Sequence, residues 1–86
     1  MRLRTDGVTW REIDGETVIL DLASSTYLKT NESGSVLMRM LTDERTETEL
    51  VDGLVDEFGI ESDQARTDVE SFLGMLRERE LLESSG

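Results

Sequence analysis

Eighty-six residues carry 20 acids against nine bases, a net charge of −11, with 36 % hydrophobic residues, only four aromatics and no cysteine, histidine or proline. A chain of this size forms one small domain that buries roughly 60–65 % of its unfolded surface, so the core is thin and aliphatic. Without cysteine there is no disulfide framework or thiolate metal site, and no segment approaches the ~20 apolar residues of a membrane span, which makes a soluble cytoplasmic protein the default.

Met1–Gly7 shows no periodicity and reads as a loose arm, as do residues 83–86. Val8–Ile13 and Thr17–Leu22 are strand-like and joined by Asp14-Gly15, a strong hairpin signal because a type I′ turn needs positive φ. In the second of these strands Val18, Leu20 and Leu22 share one face and Ile19 the other. Ala23-Ser24 links to a third strand, Ser25–Thr30, with Thr26, Leu28 and Thr30 on one face and Ser25, Tyr27 and Lys29 on the other. In a meander this strand has one neighbour only, and its second edge offers unpaired N–H and C=O groups, either a liability or a docking site.

Three helical segments follow. Asn31 is a candidate N-cap for the first, whose stripe is Val36, Leu37, Met40 and Leu41. Thr42–Arg45 reads as a loop. Thr46-Glu47-Thr48-Glu49 is a capping box, Leu50, Val51, Leu54, Val55 and Phe58 form the apolar face behind it, and Gly59 suits the C′ position. Ser62 is the candidate cap of the last helix. There Ala65, Val69, Phe72, Leu73 and Leu76 fall within one arc of about 80°. Met75 lies off that arc, on the flank of Asp68 and Arg79. The fold class is therefore α+β, a three-stranded antiparallel sheet followed by three helices in the manner of a winged helix.

The residues for catalysis are missing. No histidine or cysteine is present to act as base, metal ligand or thiol nucleophile, no serine has an activating partner, and no calcium loop or glycine-rich phosphate loop occurs. A non-enzyme without cofactor or metal is expected. A DNA-reading winged helix needs a basic recognition helix, whereas residues 43–86 carry fourteen acids and four bases, net −10. The acidity reads as a solvated surface, and what remains is an acidic winged-helix module that binds a peptide or protein, with no nucleic-acid or membrane partner.

The order and spacing of several degenerate motifs resemble PqqD-like domains, the RiPP recognition elements, over almost the whole chain. Gly15 with Val18-Ile19-Leu20-Asp21-Leu22 is similar to their G-x-x-V-L-L-D opening, and Ser25–Gly34 to their G-x-Y-x-x-L-N-x-x-G segment. Thr46–Phe58 is similar to T-x-x-E-(L/I)-x-x-x-L-x-x-x-(Y/F), and Asp68–Leu76 to D-V-x-x-F-L-x-x-L, with Glu80-Leu81-Leu82 in place of the closing G-L-L. Thr30 stands where the family usually has Leu, and the common Trp after the glycine of the first helix is absent. Leu22-Ala23-Ser24 replaces the Pro-Glu-Gly of PQQ-pathway members and is nearer to the stand-alone lasso-peptide B1 proteins.

The resemblance implies a non-catalytic protein that binds the leader segment of a ribosomally made precursor and delivers it to a leader peptidase and a macrocyclase. The runner-up is a peptide chaperone for a radical-SAM enzyme. By that reading the leader adds as a strand to the third strand's free edge, at Tyr27, Leu28, Lys29 and Thr30. Its side chains enter a groove against Asp68, Phe72, Met75 and Arg79 of the last helix. Packing competes for Leu28 and Phe72, packing on the hairpin with a wet hydroxyl for Tyr27, an edge-guarding charge for Lys29, and ordinary surface-helix charge for Asp68 and Arg79; Met75, adaptable and off the core arc, favours binding.

Overall fold

The computed structural model describes residues 1–83. In chain order these form β1 (Arg2–Leu3), β2 (Val8–Ile13), β3 (Glu16–Asp21), β4 (Thr26–Thr30), α1 (Glu32–Met40), α2 (Glu47–Phe58), α3 (Ser62–Glu78) and β5 (Leu82–Glu83). The expected three-stranded antiparallel sheet, in the order β2-β3-β4, is followed by the expected three helices. Asp14 and Gly15, at φ 52° and 82°, make the tight turn between Ile13 and Glu16, as the type I′ geometry requires.

The chain's start is not a loose arm. Arg2 and Leu3 pair with Glu83 and Leu82 in a separate two-stranded ribbon. The Leu3 N–H donates to the Leu41 carbonyl at 2.9 Å, and Leu3 is only 3 % exposed. Two apolar side chains, Leu3 and Leu81, fill that end of the core, and the ribbon satisfies the backbone they bring inside. Of the expected C-terminal tail, Glu83 belongs to β5, and residues 84–86 lie outside the described residues.

Asn31 caps α1, its side-chain oxygen accepting from the Gly34 N–H at 3.0 Å. The capping box on α2 is complete: Thr46 Oγ1 accepts from Glu49 N–H at 3.1 Å and the Glu49 carboxylate from Thr46 N–H at 2.9 Å. Gly59 closes the helix in the left-handed region at φ 64°. At α3 the cap position is Glu61 rather than Ser62, and it makes no side-chain capping bond.

The helices enclose Leu37, Met38, Leu41, Leu50, Leu54, Val69, Leu73 and Leu76, all fully buried, and the sheet adds Ile19. The register opposes Ile19 to Trp10 on one side and Leu28 on the other, so these three face the helices. Val18 and Leu20, two residues of the more apolar stripe of β3, face outward, and Leu20, Leu22, Ile13 and Tyr27 remain exposed. Polar pairing fixes this choice of face. Thr17, fully buried, donates to Ser35 Oγ at 2.6 Å, and Ser35 Oγ donates to the Gly15 carbonyl at 2.9 Å. Asp21, on the same inner face, meets Arg4 at 3.2 Å. A one-residue slip would expose Ile19 and orphan these partners.

Candidate functional site

The site begins with a strand that has one neighbour. β4 pairs with β3 through Thr17–Thr30, Val18–Lys29, Ile19–Leu28, Leu20–Tyr27 and Asp21–Thr26, and its other edge carries no strand among the described residues. Which amides point to that edge follows from the ladder. Antiparallel strands alternate between hydrogen-bonded and non-bonded pairs, and a residue's N–H and C=O point to the same side. The Leu22 N–H donates to the Gly7 carbonyl at 2.8 Å, and the two-residue turn makes Ile13–Glu16 a bonded pair. Leu22, Leu20, Val18 and Glu16 therefore bond toward β2, and Thr17, Ile19 and Asp21 toward β4. Their partners Thr30, Leu28 and Thr26 bond inward, which leaves the N–H and C=O of Tyr27 and Lys29 pointing off the free edge.

Beside that edge lies a cleft of about 270 Å³, lined by Lys29, Thr30, Asn31, Ser33, Gly34, Leu37, Asp68, Ser71, Phe72 and Met75. Its walls are the end of β4, the first turn of α1 and the middle of α3. Close packing of α1 against the strand depends on Gly34, because a Cβ there would stand 2.5 Å from Thr30 Cβ and 3.1 Å from the Phe72 ring. Thr30, in the place of the larger family residue, is 7 % exposed and forms part of this tight contact.

The structure brings Lys29, Thr30, Asp68, Phe72 and Met75 together in one cleft. Phe72 is 8 % exposed and belongs mainly to the core, with its edge forming the floor. Met75 is half-buried, packing on the core cluster while facing the cleft, with open space over the neighbouring Gly74. Leu28 is half-buried against the helices, so its side chain is packing and its amide serves β3. Tyr27, 70 % exposed, projects on the sheet's outer face opposite Leu20, away from α3. Arg79 stands apart from the main cleft, at the far end of the strand with Thr26, Ser24 and Arg4.

Lys29 Nζ lies 3.3 Å from Glu16, an exposed pair, and Gln64 donates to Asp68 Oδ1 at 2.9 Å, holding that carboxylate at the cleft's other end. Asn31, Ser33, Gly34, Leu37 and Ser71 also line the cleft. Their sequence signals, a helix cap, a glycine in a first turn and, for Leu37, a place in the apolar stripe of the first helix, were fully explained by local structure and packing. Among the described residues no group of acidic, histidine or cysteine side chains is placed to hold a metal ion, and no helix is long and apolar enough to cross a membrane. The arrangement offers main-chain hydrogen bonds at one lip and apolar contact at the other, the requirements for holding an extended chain.

Residues 16–82 match the family described as coenzyme PQQ synthesis protein D (PqqD). No curated protein matches the chain. Among solved structures, the chain is similar to TbiB1 in complex with the TbiA(beta) leader peptide, at 30 % identity and a TM-score of 0.84, covering 100 % of this chain and 99 % of that one. It is also similar in fold to a lasso peptide synthetase B1 complexed with the leader peptide, at 23 % identity and a TM-score of 0.79, with 96 % of each chain covered.

Proposed function

The chain belongs to the PqqD family, and from that premise we propose that it binds the leader segment of a ribosomally synthesised precursor peptide by strand addition to β4. It then hands the precursor to a leader peptidase and a lactam-forming macrocyclase in the cytoplasm. The observation that carries this reading is the free edge of β4, with the Tyr27 and Lys29 amides turned outward beside the Phe72–Met75 cleft. Main-chain bonds along that edge supply affinity without regard to side chains, and the cleft selects the side chains that alternate toward α3. The similarity to TbiB1, a leader-peptide complex at 30 % identity, supports the same occupant here. The protein contributes no chemistry of its own in this reading. It raises the effective concentration of the precursor at an enzyme that binds the other end.

Reconstitution with a leader peptidase and a precursor peptide of a lasso-peptide pathway tests it. Adding the chain should accelerate leader removal, and Lys29→Pro should abolish that gain while leaving the peptidase's own slow rate intact. Cleavage that proceeds equally well without the chain refutes delivery. The family's description, coenzyme PQQ synthesis, supports one second reading, presentation of a peptide to a radical-SAM enzyme. It predicts modification of the bound precursor, rather than leader removal, as the step the chain accelerates.

A further inference from the structure

The groove beside β4 does not end where the strand ends. At Asn31 the backbone turns into α1, and Asn31, Ser33 and Asp68, which line the cleft, also line an adjoining depression completed by Glu32, Phe58 and Ile60. Phe58 is apolar and in register with the buried face of α2, yet it is 36 % exposed, because it is the last residue of the helix before the chain reverses at Gly59. Ile60 is half-buried beside it and packs on the core. The charged side chains lining this depression are both acidic, Glu32 and Asp68, with Glu57 preceding Phe58 and Glu61 following Ile60. Gln64 engages one Asp68 oxygen, and the second has no partner among the described residues. Of the bases around it, Arg39, which shares a neighbouring depression with Glu32 and Phe58, is held by Glu12 at 3.2 Å, and Lys29 of the adjoining cleft by Glu16 at 3.3 Å.

We propose that the peptide added to β4 continues past Thr30 and seats one aromatic or large aliphatic side chain on Phe58 and Ile60, with a lysine or arginine beside it against Glu32 and Asp68. The inference rests on strand addition at β4 and deepens it by assigning a second subsite with its own chemistry. Two features argue for this occupant over any other. The depression adjoins the cleft through three shared lining residues, so a chain leaving the strand's end runs directly toward it. Its rim has the sign opposite to a basic side chain, in a molecule whose net charge of −11 already favours a cationic segment. An exposed Phe that pairs edge-to-face or offset with a ligand ring gains contact that water does not provide.

A displayed library of random peptides of about 16 residues, roughly 50 Å when extended, is long enough to span both subsites. Selection is run on the native sequence, on Phe58→Ser, on the shape-conserving pair Glu32→Gln with Asp68→Asn, and on Lys29→Pro, each first shown to melt cooperatively. The native chain should enrich peptides carrying an aromatic or large aliphatic residue and a base at a fixed distance to one side of the strand-adding segment. Phe58→Ser should lose the apolar preference alone, and the neutralised pair the basic one alone. A synthetic consensus peptide should bind Phe58→Ser about tenfold more weakly, and should lose affinity between roughly 50 and 500 mM NaCl on the native chain but not on the neutralised pair. A consensus confined to the strand, sensitive to Lys29→Pro and retained equally on the other variants, overturns the second subsite and leaves strand addition standing. Peptides indifferent to Lys29→Pro, or no enrichment at all, overturn strand addition and the second subsite with it. If Phe58→Ser fails to melt cooperatively, the neutralised pair decides alone: an unchanged basic preference overturns the proposal.

Discussion

Two adjacent proline substitutions on β4 should have opposite consequences, and the ladder says which is which. The Leu28 N–H bonds inward to β3, opposite Ile19, which is 1 % exposed. Leu28→Pro removes that bond, worth about 0.5–1.5 kcal/mol net, and strands a buried carbonyl at a further cost of about 1–3 kcal/mol. Replacing the half-buried leucine forfeits roughly 1 kcal/mol of packing. The sum of about 3–5 kcal/mol is a large share of the roughly 4–13 kcal/mol expected for a domain of this length, so the melting temperature should fall by about 12 °C or more. The Lys29 N–H faces off the edge, where it has no backbone partner among the described residues. Lys29→Pro loses that amide and an exposed ion pair with Glu16, together worth about 1 kcal/mol or less in stability. With peptide bound, the same substitution removes a ladder bond and puts a ring where the incoming strand must lie, so affinity should drop by about 1–2 kcal/mol or more, some five- to thirtyfold. Thermal melts and fluorescence anisotropy with a labelled leader peptide read the two effects separately. Hydrogen exchange supplies the independent check, since the Tyr27 and Lys29 amides should exchange rapidly when free and slow on peptide addition. A stable Leu28→Pro that cannot bind would reverse the assignment of the edge, and undiminished binding by both variants would remove β4 as the docking edge.

Met75→Glu places a charge in the cleft and should weaken peptide binding by about 1–2 kcal/mol or more while shifting the melt little, since Met75 is half-buried on the cleft side; a large stability loss with unchanged affinity would assign it to the core. Gly34→Ala forces a methyl to within 2.5 Å of Thr30 Cβ, so it should destabilise by about 1–3 kcal/mol through overpacking and narrow the cleft, both absent if α1 simply slides away. Thr46→Ala removes the α2 cap and should cost about 1 kcal/mol in denaturant unfolding. Glu49's carboxyl is held below its usual value, first by the Thr46 backbone N–H and then by its hydroxyl and by Arg45. Because the folded pKa is the lower one, its contribution is present above the ordinary glutamate range and fades as pH falls through the folded value. The acid-side loss of stability should therefore be shallower in Glu49→Gln.

The elements bordering the site were legible because each had a local cause: Asp14-Gly15 for the hairpin, the capping box for α2, and a helical period that left Met75 off the packing arc. What was not legible depended on partners remote in sequence. Two-residue strands have no periodicity to read, so β1 and β5 were invisible until paired across the chain. Alternation along β3 divided its residues into two faces without saying which is inside, and the inner one is the less apolar, held by Thr17 to Ser35 and by Asp21 to Arg4. Phe58 matched the apolar period of α2 and still lies at the surface, because periodicity assigns a direction but not the length over which a neighbour covers it.

The terminal ribbon bears on the order in which the molecule assembles. Its pairing joins residues 2–3 to residues 82–83, a loop of nearly the entire chain, while β2–β3, β3–β4 and the helical turns close over short segments. Loop-closure entropy grows with the logarithm of length, and contacts of such separation form only after local ones have shortened the path between their ends. During synthesis the hairpin and β4 leave the ribosome some fifty residues ahead of β5. The outer edge of β4 can thus be laid down while the ribbon is still open, and closing the core's end with Leu3 and Leu81 falls late in folding, next to the Thr26 end of that strand, where Arg4 and Glu80 line a shared depression.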